Sequence, residues 1–347
     1  MRLVLATAAA LLLAGLAGWA GEELGVPLPW LLGPLGVCAL VAMTGLHLGG
    51  VRPSLPMWSR SVSVPVIGAA IGSSVTPAIL GQATSWWPTL AAMLPFVIAV
   101  QLANFALLRR IGGYDRPTAY FASSPGGLVD AVLLGELRGG DPALMATLHF
   151  ARIVLIVVAI PLLFALGGLP AKGPAVTIAG SWELGETALM LALAAGGALG
   201  AMRLRLPAAP LLGPMVASAV AHLTGLTDAA MPPLLVHLAQ IVVGSRLGLQ
   251  FAGVGGRDVL RGFGLAGLSV ALSLTIATAL AAALHGFVHA PAPAVFLAFA
   301  PGGVAELGLI AVALGAEPAY VVIHHLLRIV LTVALLPRIY DRVVDRS

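Results

Sequence analysis

The sequence predicts an all-α polytopic membrane protein made of two inverted repeats, each of about five transmembrane helices plus one re-entrant or broken Pro-Gly-Gly helix. Three observations predict it. Apolar residues make up 59% of the 347-residue chain and charged residues 9%, against about 45–50% and about 25% in a soluble domain. A Pro-Gly-Gly stretch with a fixed set of polar followers occurs twice, 176 positions apart. The short loops that correspond between the two copies differ in charge.

In chain order, the first apolar run is Leu3 to Ala20, preceded by Arg2 and followed by Glu22-Glu23. It resembles a signal peptide with a poor cleavage site. However, Leu13-Ala14 and Leu31-Leu32-Gly33-Pro34 recur as Leu193-Ala194 and Leu211-Leu212-Gly213-Pro214, so the run is expected to be a retained span. Apolar runs follow at about 28–47, 62–82, 88–108, 117–137 and 143–167. The second half repeats the pattern at about 183–201, 207–226, 232–251, 262–284, 291–314 and 319–337. Runs of about 20 apolar residues match the thickness of a bilayer core. From Pro125 to Pro161 against Pro301 to Pro337, 14 of 37 residues are identical without a gap, the mark of an internal duplication. The expected organisation is repeat 1 over 1–168, a Gly/Pro-rich linker over 169–181, and repeat 2 over 182–347. Gly68 and Gly72, matched by Gly244 and Gly248, form small-xxx-small faces that let helices approach closely.

Charge predicts the orientation of the copies. After the first segment, copy one carries Glu22 and Glu23, whereas copy two carries Arg203 and Arg205. After the fourth, copy one carries Arg109, Arg110 and Arg116, and copy two only His285 and His289. Arg-rich short loops stay cytoplasmic, so the two copies are expected to lie in opposite directions. Inversion needs an odd number of crossings per copy, and six apolar segments then require one that returns to its own side. The Pro-Gly-Gly segments are the natural ones to break, because Pro lacks the helical donor and Gly tolerates positive φ. This places both termini and 14 of the 18 basic residues in the cytoplasm, with Lys172 outside. Twelve full spans are the alternative.

The candidate site follows from the duplication. Pro125, Gly126, Gly127, Asp130, His149 and Arg152 match Pro301, Gly302, Gly303, Glu306, His325 and Arg328 one for one. His149 and Arg152 share a helix face, and Arg152 lies about ten residues into its span, roughly 15 Å deep. An arginine at that depth costs at least about 2.5–3.5 kcal/mol unless it meets a partner or water. Asp130 and Glu306 are the expected partners. On the plainer reading the acids favour a helix N-terminus, the arginines clamp hairpin to helix, and the histidines fill the core. The functional reading is an anion site formed by half-helix N-termini and arginines around a midplane cavity, with Asp, Glu and His able to carry protons. Gln101, Asn104, Ser123, Ser124 and Gln240 are lesser cavity-lining candidates, more simply read as interhelical hydrogen bonds. Arg246 is read as snorkelling to the cytoplasmic surface.

Several function classes are excluded or weakened. The single cysteine, Cys38, rules out an intrachain disulfide and a cysteine-based metal cluster. No phosphate loop, catalytic triad or clustered metal ligands occur, so no cofactor, no metal and no enzymatic activity are expected. With its duplicated unit and its Leu-Leu-Gly-Pro and Pro-Gly-Gly-x-x-acid signatures, the chain resembles the AbrB family of bacterial inner-membrane proteins over nearly its whole length. Members carry the names of transcriptional regulators or of ammonia monooxygenases, and the resemblance implies regulation of gene expression. The residues themselves point first to a secondary transporter of a small, anionic organic solute working by alternating access. A neutral or cationic solute stays open if the acids neutralise the arginines. A membrane regulator or sensor acting indirectly on gene expression stays open beside it, with a membrane oxidoreductase as a third reading. Expected partners are the lipid bilayer, a small-molecule solute and protons. Direct nucleic-acid binding is not expected, because no soluble element exists to enter a groove. A homo-oligomer is compatible with the sequence, and the expected location is the bacterial inner membrane.

Overall fold

The computed structural model of the protein describes residues 2–45, 51–56, 58–167, 183–252 and 257–344. The expected linker 169–181, with Lys172, lies outside the described residues. Among them the chain is all-helical: α1 (Arg2–Glu23), α2 (Pro29–Met43), α3 (Trp58–Gly72), α4 (Pro77–Gln82), α5 (Trp87–Arg110), α6 (Arg116–Ala122), α7 (Leu128–Glu136), α8 (Pro142–Leu166), α9 (Leu184–Arg203), α10 (Ala209–Leu223), α11 (Pro233–Leu249), α12 (Arg257–Leu284), α13 (Ala292–Phe299), α14 (Val304–Leu314) and α15 (Pro318–Ile339), the last running into a π-helical turn, Tyr340–Val344.

Six stretches among the described residues are long and apolar enough to cross a bilayer: Leu3–Glu23, Trp87–Arg110, Pro142–Leu166, Leu184–Arg203, Arg261–Phe287 and Pro318–Arg342. Three fall in each half, at the positions of segments one, four and six. Segments two and three differ from the expectation of roughly 20-residue spans. α2, α3 and α10 have 15 residues and α11 has 17, about 22–25 Å of helix, short of the roughly 30 Å core. α2, α10 and α11 open on proline in their first turn within two residues of the expected start, and most of the shortening lies at their C-terminal ends. The run expected over 62–82 divides instead into α3 and α4, with an 80° bend after Gly72.

The described residues form two compact units, and each unit draws on both halves of the sequence. The first comprises Met1–Pro77, Ile160–Gly255 and Val312–Gly315; the second comprises Ala78–Ala159, Gly256–Ala311 and Ala316–Ser347. In the first unit α1 lies against α2 and α9 against α10, while α2 meets α11 and α10 meets α3. These contacts repeat residue by residue. A Cβ on Gly68 would collide with the Leu211 carbonyl and one on Gly72 with that of Met215, just as one on Gly244 would strike Leu31 and one on Gly248 would strike Leu35. The small-xxx-small faces therefore bring backbone to backbone. That suits a protein in lipid, where helix association rests on close van der Waals contact rather than on hydrophobic exclusion from water. Ser218 Oγ adds a bond of 2.8 Å to the Ala69 carbonyl, and Cys38 is fully buried.

In the second unit α5 is joined to α12 by a buried polar knot. Asn104 Nδ2 donates to Ser273 Oγ at 2.9 Å, and Ser269 Oγ donates to Asn104 Oδ1 at 2.6 Å. Gln101 Nε2 donates to the Tyr120 carbonyl and to Ser123 Oγ, each at 2.8 Å. Gln101, Asn104 and Ser123 are thus spent on holding helices together. Arg246, in the first unit, reaches the Pro56 carbonyl at 3.3 Å.

Candidate functional site

Both Pro-Gly-Gly segments break into two half-helices where the sequence predicts. α6 ends at Ala122 and α7 starts at Leu128; α13 ends at Phe299 and α14 starts at Val304. Gly127 is the N-cap of α7 with φ 67°, a left-handed conformation that glycine takes without penalty. The first broken segment turns back on itself. The amide of Asp141, past the end of α7, donates to Thr118 Oγ1 at the start of α6 at 2.8 Å, and a Cβ on Gly135 would come within 2.9 Å of Phe121 Cβ. Residues 117–137 therefore form a hairpin whose two ends are neighbours.

The free carbonyls at the two breaks are satisfied in different ways. At the first, Ser124 Oγ donates to the Gly126 carbonyl at 2.7 Å. At the second, alanine stands in place of that serine, and Arg328 supplies the donors instead: Nη1 to the Ala300 carbonyl at 2.7 Å and Nη2 to the Gly302 carbonyl at 2.6 Å. The histidines are placed alike. His149 Nε2 lies 3.0 Å from the Phe121 carbonyl, and His325 Nε2 lies 2.9 Å from that of Leu297. A carbonyl only accepts, so Nε2 carries the proton in both. Arg152 Nη2 then donates to His149 Nδ1 at 2.7 Å. His325 Nδ1 finds no protein partner, because Arg328 has turned to the break.

The expected ion pairs do not form, and this corrects the sequence reading. Among the described residues the one ion pair recorded joins Arg138 to Asp341, at 2.7 Å. Asp130 is exposed, in the first turn of α7. Glu306 is 9% exposed but folds back over Gly303, filling the space where a Cβ would stand. Each acid sits three residues past its break, so it follows its own helix N-terminus rather than reaching the arginine on the next helix. Arg152 is 6% exposed and Arg328 0%. Nε of each lacks a protein partner, and the two guanidiniums are within electrostatic reach of one another.

Arg328 also brings the two breaks together. While its Nη atoms hold the second, its Nε lies 3.7 Å from where a Cβ on Gly126 would stand, and Thr332 Oγ1 lies at the same distance. In return Ile156, on the helix that bears Arg152, lies 3.3 Å from the Cβ position of Gly302. Each break is therefore covered by the helix that follows the other. A small cleft of about 10 Å³ opens at the first, lined by Ser124, Gly126, Gly127, Asp130 and Thr332 among others. No group of three or more His, Cys, Asp or Glu suited to a metal ion occurs among the described residues. His324 is engaged instead with Thr89 Oγ1, 2.9 Å away, which also accepts from Tyr320 Oη at 2.8 Å.

Sequence reasoning passed over Thr332 and the Arg138–Asp341 pair. Neither has a polar counterpart in the other copy, where Ile156, Leu314 and Ala165 stand at the matching positions, so a search by recurrence misses them. Their only sequence signal is a polar residue inside or beside an apolar run.

Comparison with known proteins places this geometry in a family. The model of the family described as "Transition state regulatory protein AbrB" matches residues 44–343. The chain is similar to "Uncharacterized protein YhjN" of Bacillus subtilis (strain 168), 26% identical over 347 residues, covering 91% of this chain and 87% of that protein. It is likewise similar to "Putative regulator AbrB" of Escherichia coli (strain K12), 28% identical over 308 residues, covering 88% and 86%.

Proposed function

The chain belongs to the AbrB family, and from that premise and the geometry of the two breaks we propose that it is a secondary transporter of a small, anionic organic solute. It works by alternating access in the bacterial inner membrane, with both termini cytoplasmic, and it is not an enzyme. The observation that carries the reading is the pair Arg152 and Arg328, buried at the two breaks with no carboxylate partner among the described residues. An unpaired buried charge is costly. Two of like sign within reach of one another raise the cost further, and an anion bound between them would relieve it. Broken helices from two related repeats, meeting in the interior, are the arrangement that carriers use for such a site.

The proposed coupling ion is the proton, carried by His149, His325, Glu306 or Asp130, the titratable groups at the two breaks. Direct contact with nucleic acid is not part of the proposal. The relative in Escherichia coli is named a regulator, and on a second reading this chain would affect gene expression indirectly, through the solute it moves or senses. Uptake of a panel of labelled organic anions, amino acids and cations into proteoliposomes, with and without an imposed pH gradient, tests the proposal. Flux of an anion that an inward proton gradient accelerates and Arg152→Ala abolishes is the expected result. Absence of flux across the whole panel, with altered expression in a deletion strain, would replace the transport reading with the regulatory one.

A further inference from the structure

The cleft at the first break holds a cluster of groups that the duplication does not explain. Thr332 is 4% exposed and its hydroxyl has no protein partner. That is unusual for this protein: Thr44, Thr147, Thr224, Thr275 and Thr278, all on helices or at their ends, donate back to the carbonyl four residues earlier. Thr332 declines that bond, and its oxygen lies 3.7 Å from the Cβ position of Gly126. Arg328 Nε, the second buried donor without a protein partner, lies 3.7 Å from the same point. A cation and a hydroxyl on successive turns of α15 thus converge on the room that Gly126 leaves by having no side chain. Across the cleft, Asp130 carries its Oδ2 to 3.4 Å from the Cβ position of Gly127.

We propose that this cleft is the binding site of a small zwitterion, an ammonium carboxylate, with the carboxylate on Arg328 and Thr332 and the ammonium on Asp130. The proposal rests on the transport reading and changes its solute class, from a net anion to a carboxylate that also carries an ammonium. One positive and one negative side chain separated by two glycines complement a molecule with both charges, whereas a simple anion entering the cleft would meet Asp130 unpaired. The cleft has room for about one water molecule, so in this conformation only one carboxylate oxygen enters. The second break offers no equivalent site, because Ile156 and Ala300 replace Thr332 and Ser124 and Arg328 already occupies its carbonyls.

The test uses the purified full-length protein and three matched probes: L-alanine, propionate (the same molecule without its ammonium) and ethylamine (without its carboxylate). Binding is measured at constant ionic strength by calorimetry. The expected order is L-alanine first, with propionate at least tenfold weaker and ethylamine weaker still. Thr332→Val, isosteric and without the hydroxyl, should weaken L-alanine and propionate alike by about tenfold, the scale of a hydrogen bond to a charged group, with Thr332→Ser restoring both. Asp130→Asn, at an exposed position, should weaken L-alanine alone. If propionate binds as tightly as L-alanine and Asp130→Asn changes neither, the zwitterion assignment falls while the anion carrier stands. If none of the three binds, the site itself is overturned. Binding with the expected pattern but no L-alanine uptake into proteoliposomes would keep the site and overturn transport.

Discussion

A single substitution between the copies, Ser124 against Ala300, decides what the two arginines do. The serine hydroxyl serves the Gly126 carbonyl at the first break and, among the described residues, Arg152 bonds His149, whereas Arg328 serves two carbonyls at the second. Arg328→Lys, which loses the planar fork, is expected to destabilise the protein by about 2–3 kcal/mol, and Arg152→Lys by less than about 1 kcal/mol, on the scale of charge-assisted hydrogen bonds. Denaturation of the detergent-solubilised variants measures the difference, and equal losses would refute the division of roles. Glu317 allows a test of pH dependence. It lies in the loop before α15 with φ 42°, its Oε2 is buried without a protein partner, and burial pushes its carboxyl pKa above the ordinary value. A carboxyl raised on folding contributes stability that is fully present below its unfolded pKa and is lost as pH rises through the folded one. The melting temperature should therefore fall as pH rises above about 4–5, and Glu317→Gln should flatten that fall. Glu317→Gly should also relieve the left-handed backbone.

At the scale of elements the hairpin is the feature with consequences. Thr118 and Asp141 meet, so the loops on either side of the first broken segment, 109–116 and 138–142, must open to the same side of the membrane. After replacement of Cys38, single cysteines in these two loops should be unreactive to an impermeant reagent outside intact cells. Cysteines at 285–290 and 315–318 should react if the second copy is inverted. Labelling of 138–142 but not 109–116 from outside would exclude the hairpin as a re-entrant element. The glycine faces give a second element-level test. Gly68→Leu and Gly244→Leu place a side chain against a backbone carbonyl in equivalent contacts, and each should cost more than the 1–3 kcal/mol typical of overpacking, because backbone cannot move aside as a side chain can. A matched pair of losses is expected; tolerance of either would deny its helix contact.

At the scale of the molecule, neither half of the sequence owns a compact unit. Each unit takes three consecutive segments from both halves, so residues 1–168 alone would leave the small-residue face of α3 without α10, and α2 without the small-residue face of α11. The half-chains 1–168 and 182–347 are expected to be degraded when expressed singly and to co-purify when expressed together. Independent stability of either half would contradict the interleaved arrangement.

The sequence alone determined the solvent, the helical class, the family resemblance, the duplication and the location of the two breaks. Those follow from composition and from the backbone chemistry of proline and glycine, which act locally. It also identified the glycine faces, because a four-residue spacing fixes one side of a helix. Its pairing of Asp130 with Arg152 and Glu306 with Arg328 did not hold, since proximity along two neighbouring elements says nothing about which way a carboxylate turns in three dimensions. The covering of each break by the helix that follows the other, and the convergence of Arg328 and Thr332 on Gly126, were decided only by tertiary structure. Both depend on contacts between segments far apart in the chain and on residues that differ between the copies, where recurrence carries no signal.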